Sequence, residues 1–221
     1  MVIERKFLTV NKYSRPGTKL DKVKKIVIHY VGNPGSSAIA NRNYFESLKD
    51  GKKSGSGNYI YASSHYIIGL DGEIIQCIPE NEMSYASNSA NPYSISIECC
   101  HPDSTGKFND KTMKSLKELC KRLCNDYKLN PIGDIIRHYD VTKKVCPKWF
   151  VDHEDEWIKF KKELVKVSIP QWKIDTAKVA KDKLGLDDTW MDKLEDTMTV
   201  ADVLLLFERL IDKIEKAKMV M

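Results

Sequence analysis

The clearest pattern along the chain is a set of short apolar runs, each of which ends in a residue that can do chemistry. VKKIVIHY at 23–30 is apolar and β-branched, which predicts a buried strand that ends at His29. SISIE at 94–98 alternates apolar and polar positions, so Glu98 falls on the polar side of a second strand. The sequence therefore places ligand-type and acid/base side chains at strand ends.

Between these runs lie segments in which apolar residues recur at helical spacing, and turn residues mark the ends of the segments. An Asp71-Gly72 pair between two alternating runs predicts a hairpin over 63–78. The remaining predicted elements are helices over 36–49, 109–129 and 154–167 and a short strand over 134–140 with His138 near its end. Strands that alternate with helices in this way predict an α/β fold with a central mixed β-sheet flanked by helices.

The chain changes character at Ser168-Ile169-Pro170. Residues 168–221 hold nine Lys and Arg against eleven Asp and Glu, whereas the chain as a whole has a net charge of +5. Spacing of apolar residues after the break predicts two or three short helices. We therefore expect one domain over 1–167 and a small all-helical C-terminal module over 171–221, which packs on the first domain, dimerises or binds a ligand.

Composition narrows the class of protein. With 221 residues, 42% hydrophobic and 30% charged, the chain suits one medium domain with a small appendage. It has no apolar run long enough for a transmembrane segment and no pattern of a signal peptide, so we expect synthesis in the cytoplasm. The basic excess is spread out and matches no nucleic-acid module, which favours solvated lysines over a nucleic-acid partner.

Two histidines and a cysteine suggest a metal site. His29, His138 and Cys146 would give Zn²⁺ two imidazoles and a thiolate and leave a fourth position for water. Glu98 would then move protons, and Lys144 would stabilise a developing oxyanion. Spacing alone leaves the alternative open, in which the histidines are strand-end residues with satisfied hydrogen bonds and Glu98 is solvated.

Four segments in order make the chain resemble a known family: KIVIHY, SSHYIIGLDGEIIQCIPE, NPYSISIE and IIRHYDVTKKVCP. They are similar to the zinc-dependent N-acetylmuramoyl-L-alanine amidases of type 2, whose fold peptidoglycan recognition proteins share. The likeness runs from about residue 20 to about residue 165. It implies metal ligands at His29, His138 and Cys146, a catalytic Glu98, and a basic Lys144. It also implies peptidoglycan as substrate, cut between N-acetylmuramic acid and L-alanine.

Two departures from the family pattern concern the substrate groove. Many relatives have Trp-His-Ala-Gly where this chain has SYAS at 84–87, so Tyr85 replaces a histidine that can contact substrate. Some members use a tyrosine where this chain has Ser64, which gives Glu98 more importance. Tyr61 and Tyr85 are the expected groove residues and the alternative bases.

The lack of a signal peptide beside such a domain resembles a phage endolysin, or an autolysin from a prophage, that acts on the wall after release. Two other functions stay open. Recognition proteins of this fold can bind peptidoglycan without cutting it, although they typically lack a metal ligand. Alternatively, Cys146 could be a nucleophile with His138 as its base, and the enzyme would then survive removal of zinc.

Overall fold

The computed structural model of the chain describes residues 1–165, 208–212 and 216. The chain divides into two compact units, Met1–Val165 and Lys166–Met221. The described residues of the second unit are helical. The module expected over 171–221 falls almost wholly outside the described residues, so its structure and role stay predictions. Within the described ranges, no helix combines the length and the apolar character needed to cross a bilayer.

A single six-stranded sheet organises the first unit, in the spatial order β1-β4-β3-β5-β2-β6. Neighbours pair in parallel except β3 and β4, which form the antiparallel hairpin predicted around Asp71-Gly72. Gly72 has φ of 81°, a conformation that glycine adopts without strain. The strands are β1 Ile3–Arg5, β2 Lys25–Tyr30, β3 Tyr66–Ile68, β4 Ile74–Gln76, β5 Ser94–Cys99 and β6 Ile135–Arg137. The predicted mixed sheet is confirmed.

Helices cover both faces of this sheet. They are α1 Ala38–Ser47, α2 Asp110–Tyr127, α3 Pro131–Asp134, α4 His138–Thr142, α5 Lys148–Asp152 and α6 Glu154–Lys162. Ile68 packs into the core that includes α2, whereas its neighbour Ile67 packs into a second core that includes α1. Because both faces are covered, β3 and β4 are buried at every position.

Local chemistry sets the helix ends. The Asn109 side chain accepts a hydrogen bond from the backbone N–H of Thr112 at 2.9 Å, which caps α2 at its start. Lys128 takes the left-handed conformation with φ of 57° where that helix stops. Two predicted bounds need correction: α6 ends at Lys162, and His138 opens α4 instead of continuing a strand.

The six cysteines are free thiols, and all are buried. Cys120 and Cys124, four positions apart on one face of α2, belong to the hydrophobic core that this helix covers. Ser94 and Ser96, on the polar side of β5, are buried too. That side of the strand lies beneath the site described next.

Candidate metal centre and active site

Strand register brings the predicted residues to one edge of the sheet. His29 of β2 lies directly opposite Glu98 of β5 in the parallel ladder. Ile28 pairs with Arg137, the last residue of β6, so His138 follows at the same level on the other side of β2. Ligand sites in such sheets form where the parallel strands end. Three neighbouring strands therefore deliver two histidines and a carboxyl group to this edge.

The two histidines and Cys146 form a compact cluster. One ligand-type atom from each of the three residues lies within 4.8 Å of the others. The Nδ1 atom of His29 is 3.8 Å from the Cys146 Sγ, and the two imidazole centroids are 4.6 Å apart. Cys146 arrives on the loop after α4, where its carbonyl accepts a hydrogen bond from the Tyr139 N–H at 2.9 Å. All three side chains are buried.

The donor set fits a metal ion. Among residues 1–165, the Nδ1 atom of His138 is buried and has no hydrogen-bond partner. A buried polar atom of this kind costs free energy unless a ligand satisfies it. Two imidazole nitrogens and one thiol sulfur suit a borderline-soft ion that takes three protein ligands and keeps a fourth position open. The cluster can therefore hold such an ion through His29, His138 and Cys146.

Burial controls the charge of the cluster. It holds the pKa of His29 well below its usual range, and repulsion from His138, whenever that ring is protonated, and from Lys144 acts in the same direction. The pKa of His138 is lowered by burial and then by Lys144. Burial, together with the Glu98 charge, raises the pKa of the Cys146 thiol to about 12. Both imidazoles are thus neutral, which is the form in which a histidine binds a metal.

Glu98 lies beside the cluster and is held in an unusual environment. Its Oε1 atom is 3.9 Å from the His29 Nδ1. Its Oε2 atom is buried and has no hydrogen-bond partner in the first unit's described residues. Burial raises the pKa of Glu98 to about 8, although the Lys144 charge acts in the opposite direction. A carboxyl group that titrates near neutral pH can both accept and donate a proton during catalysis.

Lys144 lies on the exposed loop that leads to Cys146. Its ammonium charge lowers the pKa of His29, His138 and Glu98, which indicates that it acts on the whole cluster. The preceding residue, Lys143, takes the left-handed conformation that ends α4 and redirects the chain. The loop thus brings an exposed cation, Lys144, and a buried candidate ligand, Cys146, to the same place.

Arg137 is a site residue that sequence reasoning missed. Its N–H donates to the Asp140 carboxylate at 2.8 Å, and its guanidinium contacts Asp140 and Glu154 and donates to the Phe150 carbonyl at 2.8 Å. These bonds fix the start of α4, where His138 stands. The signal was available in the sequence, because an acidic residue three positions after Arg137 is typical of a helix N-terminus.

The expected groove residues lie in a row of tyrosine rings. Tyr61 contacts Tyr85 edge-on with ring centroids 5.6 Å apart, and it contacts Tyr13 at 5.5 Å. Tyr13 in turn contacts Tyr59 at 5.1 Å. Tyr61 and Tyr59 are exposed. Ser64, in contrast, is buried and donates to the Tyr66 carbonyl at 2.9 Å, so its hydroxyl is committed to the fold.

The other histidines stand apart from the cluster. His65 accepts a hydrogen bond from the Ser96 N–H at 3.0 Å through Nδ1, and its Nε2 lies 2.8 Å from the Glu82 carbonyl. Both ring nitrogens of His101 face carbonyl oxygens, those of Asp103 and Val31. These contacts give His65 a structural role, because both of its ring nitrogens are bonded to the fold.

Comparison with known proteins agrees with this geometry. The family model described as N-acetylmuramoyl-L-alanine amidase (Amidase_2) matches residues 19–149. The chain is 36% identical over 180 residues to the N-acetylmuramoyl-L-alanine amidase BlyA of Bacillus subtilis (strain 168), covering 72% of this chain and 46% of BlyA. It is 35% identical over 174 residues to CwlL of Bacillus licheniformis, with 73% and 46% covered.

Solved structures agree as well. The catalytic domain of XlyA superposes with a TM-score of 0.61 at 26% identity, covering 75% of this chain and all (100%) of that domain. A mutant endolysin from Bacillus subtilis gives a TM-score of 0.61 at 27% identity, with 75% and 99% covered.

The fold and the site define the class of protein: it is an α/β domain with a candidate metal centre. Helices cover its mixed sheet, and the two histidines and the cysteine cluster where the parallel strands end. The chain belongs to the N-acetylmuramoyl-L-alanine amidase family, and its resemblance to that family is thereby confirmed. It spans about half the length of the curated relatives that it matches, 46% in each case.

Proposed function

We propose that the protein is a zinc-dependent N-acetylmuramoyl-L-alanine amidase. It would hydrolyse the amide bond between the lactyl group of N-acetylmuramic acid and L-alanine of the stem peptide. One observation carries the proposal: His29, His138, Cys146 and Glu98 meet at one sheet edge, inside the segment that the family model matches. The names of the relatives, which are amidases and endolysins, support the same reaction.

Each residue of the site has a distinct role in this proposal. His29, His138 and Cys146 hold the zinc ion. When bound, zinc supplies a Lewis acid that polarises the scissile carbonyl and makes water acidic enough to react near neutral pH. Glu98, as the carboxylate, takes a proton from the attacking water and returns it to the departing L-alanine amine. Lys144 places its ammonium charge where the carbonyl oxygen becomes negative.

The tyrosine row supports a substrate groove that extends from the site. Tyr85 precedes by two residues Ser87, whose Oγ is 3.0 Å from the Nε2 of His29. From Tyr85 the row continues through Tyr61 to Tyr13. Sugar rings and peptide side chains can pack on exposed aromatic faces. Substitution of Tyr61 by Ala should therefore raise KM more than it lowers kcat on soluble muropeptides, and an unchanged KM would remove Tyr61 from the groove.

Two other functions are separated from the amidase by specific observations. A binding module of this fold would not need all three ligands and a buried carboxyl group together. A cysteine hydrolase would need an accessible thiolate at Cys146. Both His29 and His138 lie near its Sγ, but Cys146 is only 2% exposed and burial raises the pKa of its thiol to about 12. A buried thiol with a raised pKa is a poor nucleophile.

Chelation tests the proposal. The protein is treated with a strong zinc chelator, dialysed, and assayed on purified cell walls before and after one equivalent of zinc is restored. We expect loss of wall solubilisation and recovery with zinc. Activity that persists after complete removal of metal would favour the cysteine hydrolase, and zinc binding without solubilisation in any state would favour the binding module.

The biological setting is part of the proposal. Relatives named as endolysins support an enzyme that acts on the bacterial wall after release from the cell, either from a phage or as an autolysin. Peptidoglycan is then the partner of the catalytic domain. Residues 171–221 would bind a wall polymer or pair two chains.

A further inference from the structure

The second ring nitrogen of His29 leads to a pair of buried hydroxyl groups. While Nδ1 faces the Cys146 Sγ, Nε2 lies 3.0 Å from the Oγ of Ser87. That oxygen is in turn 3.2 Å from the Oγ of Ser96 on β5. Ser87 and Ser96 are both 0% exposed. The histidine is therefore backed by a chain of two hydroxyl groups that solvent does not reach.

The backbone holds Ser87 in place independently of this contact. The N–H groups of Ala86 and Ser87 both donate to the Oδ1 of Asn91, at 3.1 and 2.6 Å. This turn precedes a 3-10 helix at Asn88–Tyr93. These two bonds are made by backbone N–H groups, so the Ser87 hydroxyl takes no part in them and is free to contact His29.

We propose that Ser87 is a positioning residue that, with Ser96, prepares His29 to bind the metal ion through Nδ1. This inference rests on the proposed metal-dependent function. A neutral imidazole that offers the Nδ1 lone pair must carry its proton on Nε2. A buried N–H needs an acceptor, and the Ser87 Oγ is in position to be that acceptor. The Ser87 proton then points to the Ser96 Oγ.

Removing the Ser87 hydroxyl would favour the wrong tautomer. A proton on Nε2 would be left buried without its acceptor. A proton on Nδ1, in contrast, would lie on the side of the ring that faces the Glu98 Oε1, which is 3.9 Å from Nδ1. To bind the metal through Nδ1, His29 would then have to move its proton back to Nε2, where the proton has no acceptor. Loss of a partner behind a metal-bound histidine typically costs 10–100-fold in metal affinity, and we expect that loss for Ser87→Ala.

The test measures zinc affinity of the full chain by competition with a chromophoric chelator. Ser87→Ala should raise the zinc dissociation constant about 10–100-fold, and Ser87→Thr, which keeps a hydroxyl, should restore most of the affinity. Ser94→Ala is the matched control, because Ser94 lies on the same side of β5 and its buried Oγ has no hydrogen-bond partner in the described residues. Ser96→Ala tests the second hydroxyl and should give a smaller loss.

The outcomes separate this inference from the proposed function. If Ser87→Ala binds zinc like the wild type, or if Ser94→Ala loses as much affinity, the positioning role is wrong. If the wild type itself binds no zinc, the proposed metal centre fails and not merely the role of Ser87. Should Ser87→Ala not fold, as judged by circular dichroism of the metal-free protein, the comparison of Ser96→Ala with Ser94→Ala decides. Equal affinities in that pair would overturn the proposal.

Discussion

His65 should make the fold sensitive to mild acid. It is 0% exposed, its Nδ1 accepts from the Ser96 N–H, and its Nε2 faces the Glu82 carbonyl, so the ring is held as one neutral tautomer. Burial lowers its pKa from 6.5 to about 4, against the opposing effect of the Glu82 hydrogen bond and nearby carboxylates. Between these two values the unfolded chain binds a proton that the folded chain does not. The contribution of neutral His65 to the free energy of unfolding is therefore fully present above pH 6.5 and is lost as the pH falls toward about 4.

The size of the effect follows from the two pKa values. From 6.5 in the unfolded chain and about 4 in the folded protein, linkage gives a loss of about 2 kcal/mol near pH 5 relative to pH 7.5. The assay is urea unfolding of the metal-free protein at both pH values. His65→Asn can keep an acceptor for the Ser96 N–H but has no titrating ring. The variant should be less stable at pH 7.5, and its loss on acidification should be smaller by about 2 kcal/mol.

Titration of other groups is common to both proteins and cancels in this comparison. Parallel pH profiles for the wild type and His65→Asn would refute the reasoning, since they would mean that His65 is not held neutral by the fold. A variant that is as stable as the wild type at pH 7.5 would also contradict the importance given to its two hydrogen bonds.

Four further predictions concern the site and the tail. Cys146→Ser should greatly reduce zinc content by metal analysis, and full occupancy would remove Cys146 from the ligand set. Glu98→Gln should keep zinc and the fold but lower kcat about 10²–10⁴-fold; a near-normal rate would transfer the base role to another residue. Lys144→Ala should lower kcat more than it raises KM, and the reverse pattern would make it a binding residue. A chain that ends at residue 167 should cleave soluble muropeptide and lose activity mainly on intact cells; an insoluble or inactive product would join the tail to the catalytic unit.

Residues that act through their position in a strand were predictable from the sequence. The run before His29 and the alternation before Glu98 predicted strands, and the family resemblance implied that both residues belong to one site. The structure places them opposite each other on neighbouring strands. The hairpin and helix α2 were also predictable, because their signals are local. Asp71-Gly72 favours a turn between strands, and the apolar residues of α2 recur with the helical period.

Residues that act through contacts distant in sequence were not predictable. Ser87 approaches His29 across 58 positions, and neither spacing nor periodicity indicates that contact. The strand predicted over 134–140 is a different case, because it stops at Arg137 through a local contact: the Arg137 N–H and guanidinium bind Asp140, and this helix-start signal was overlooked in favour of the alternating pattern. Burial of Ser94 and Ser96 depends on what covers β5, which the five-residue pattern does not contain.

The central claim is that this family member cleaves the amide between N-acetylmuramic acid and L-alanine with the His29, His138 and Cys146 site. The most direct test digests purified cell walls and counts new amino termini and new reducing sugars in the same sample. The account predicts free L-alanine amino termini, no increase in reducing ends, and neither product from Cys146→Ser. New reducing ends, or L-alanine termini released equally by that variant, would contradict it.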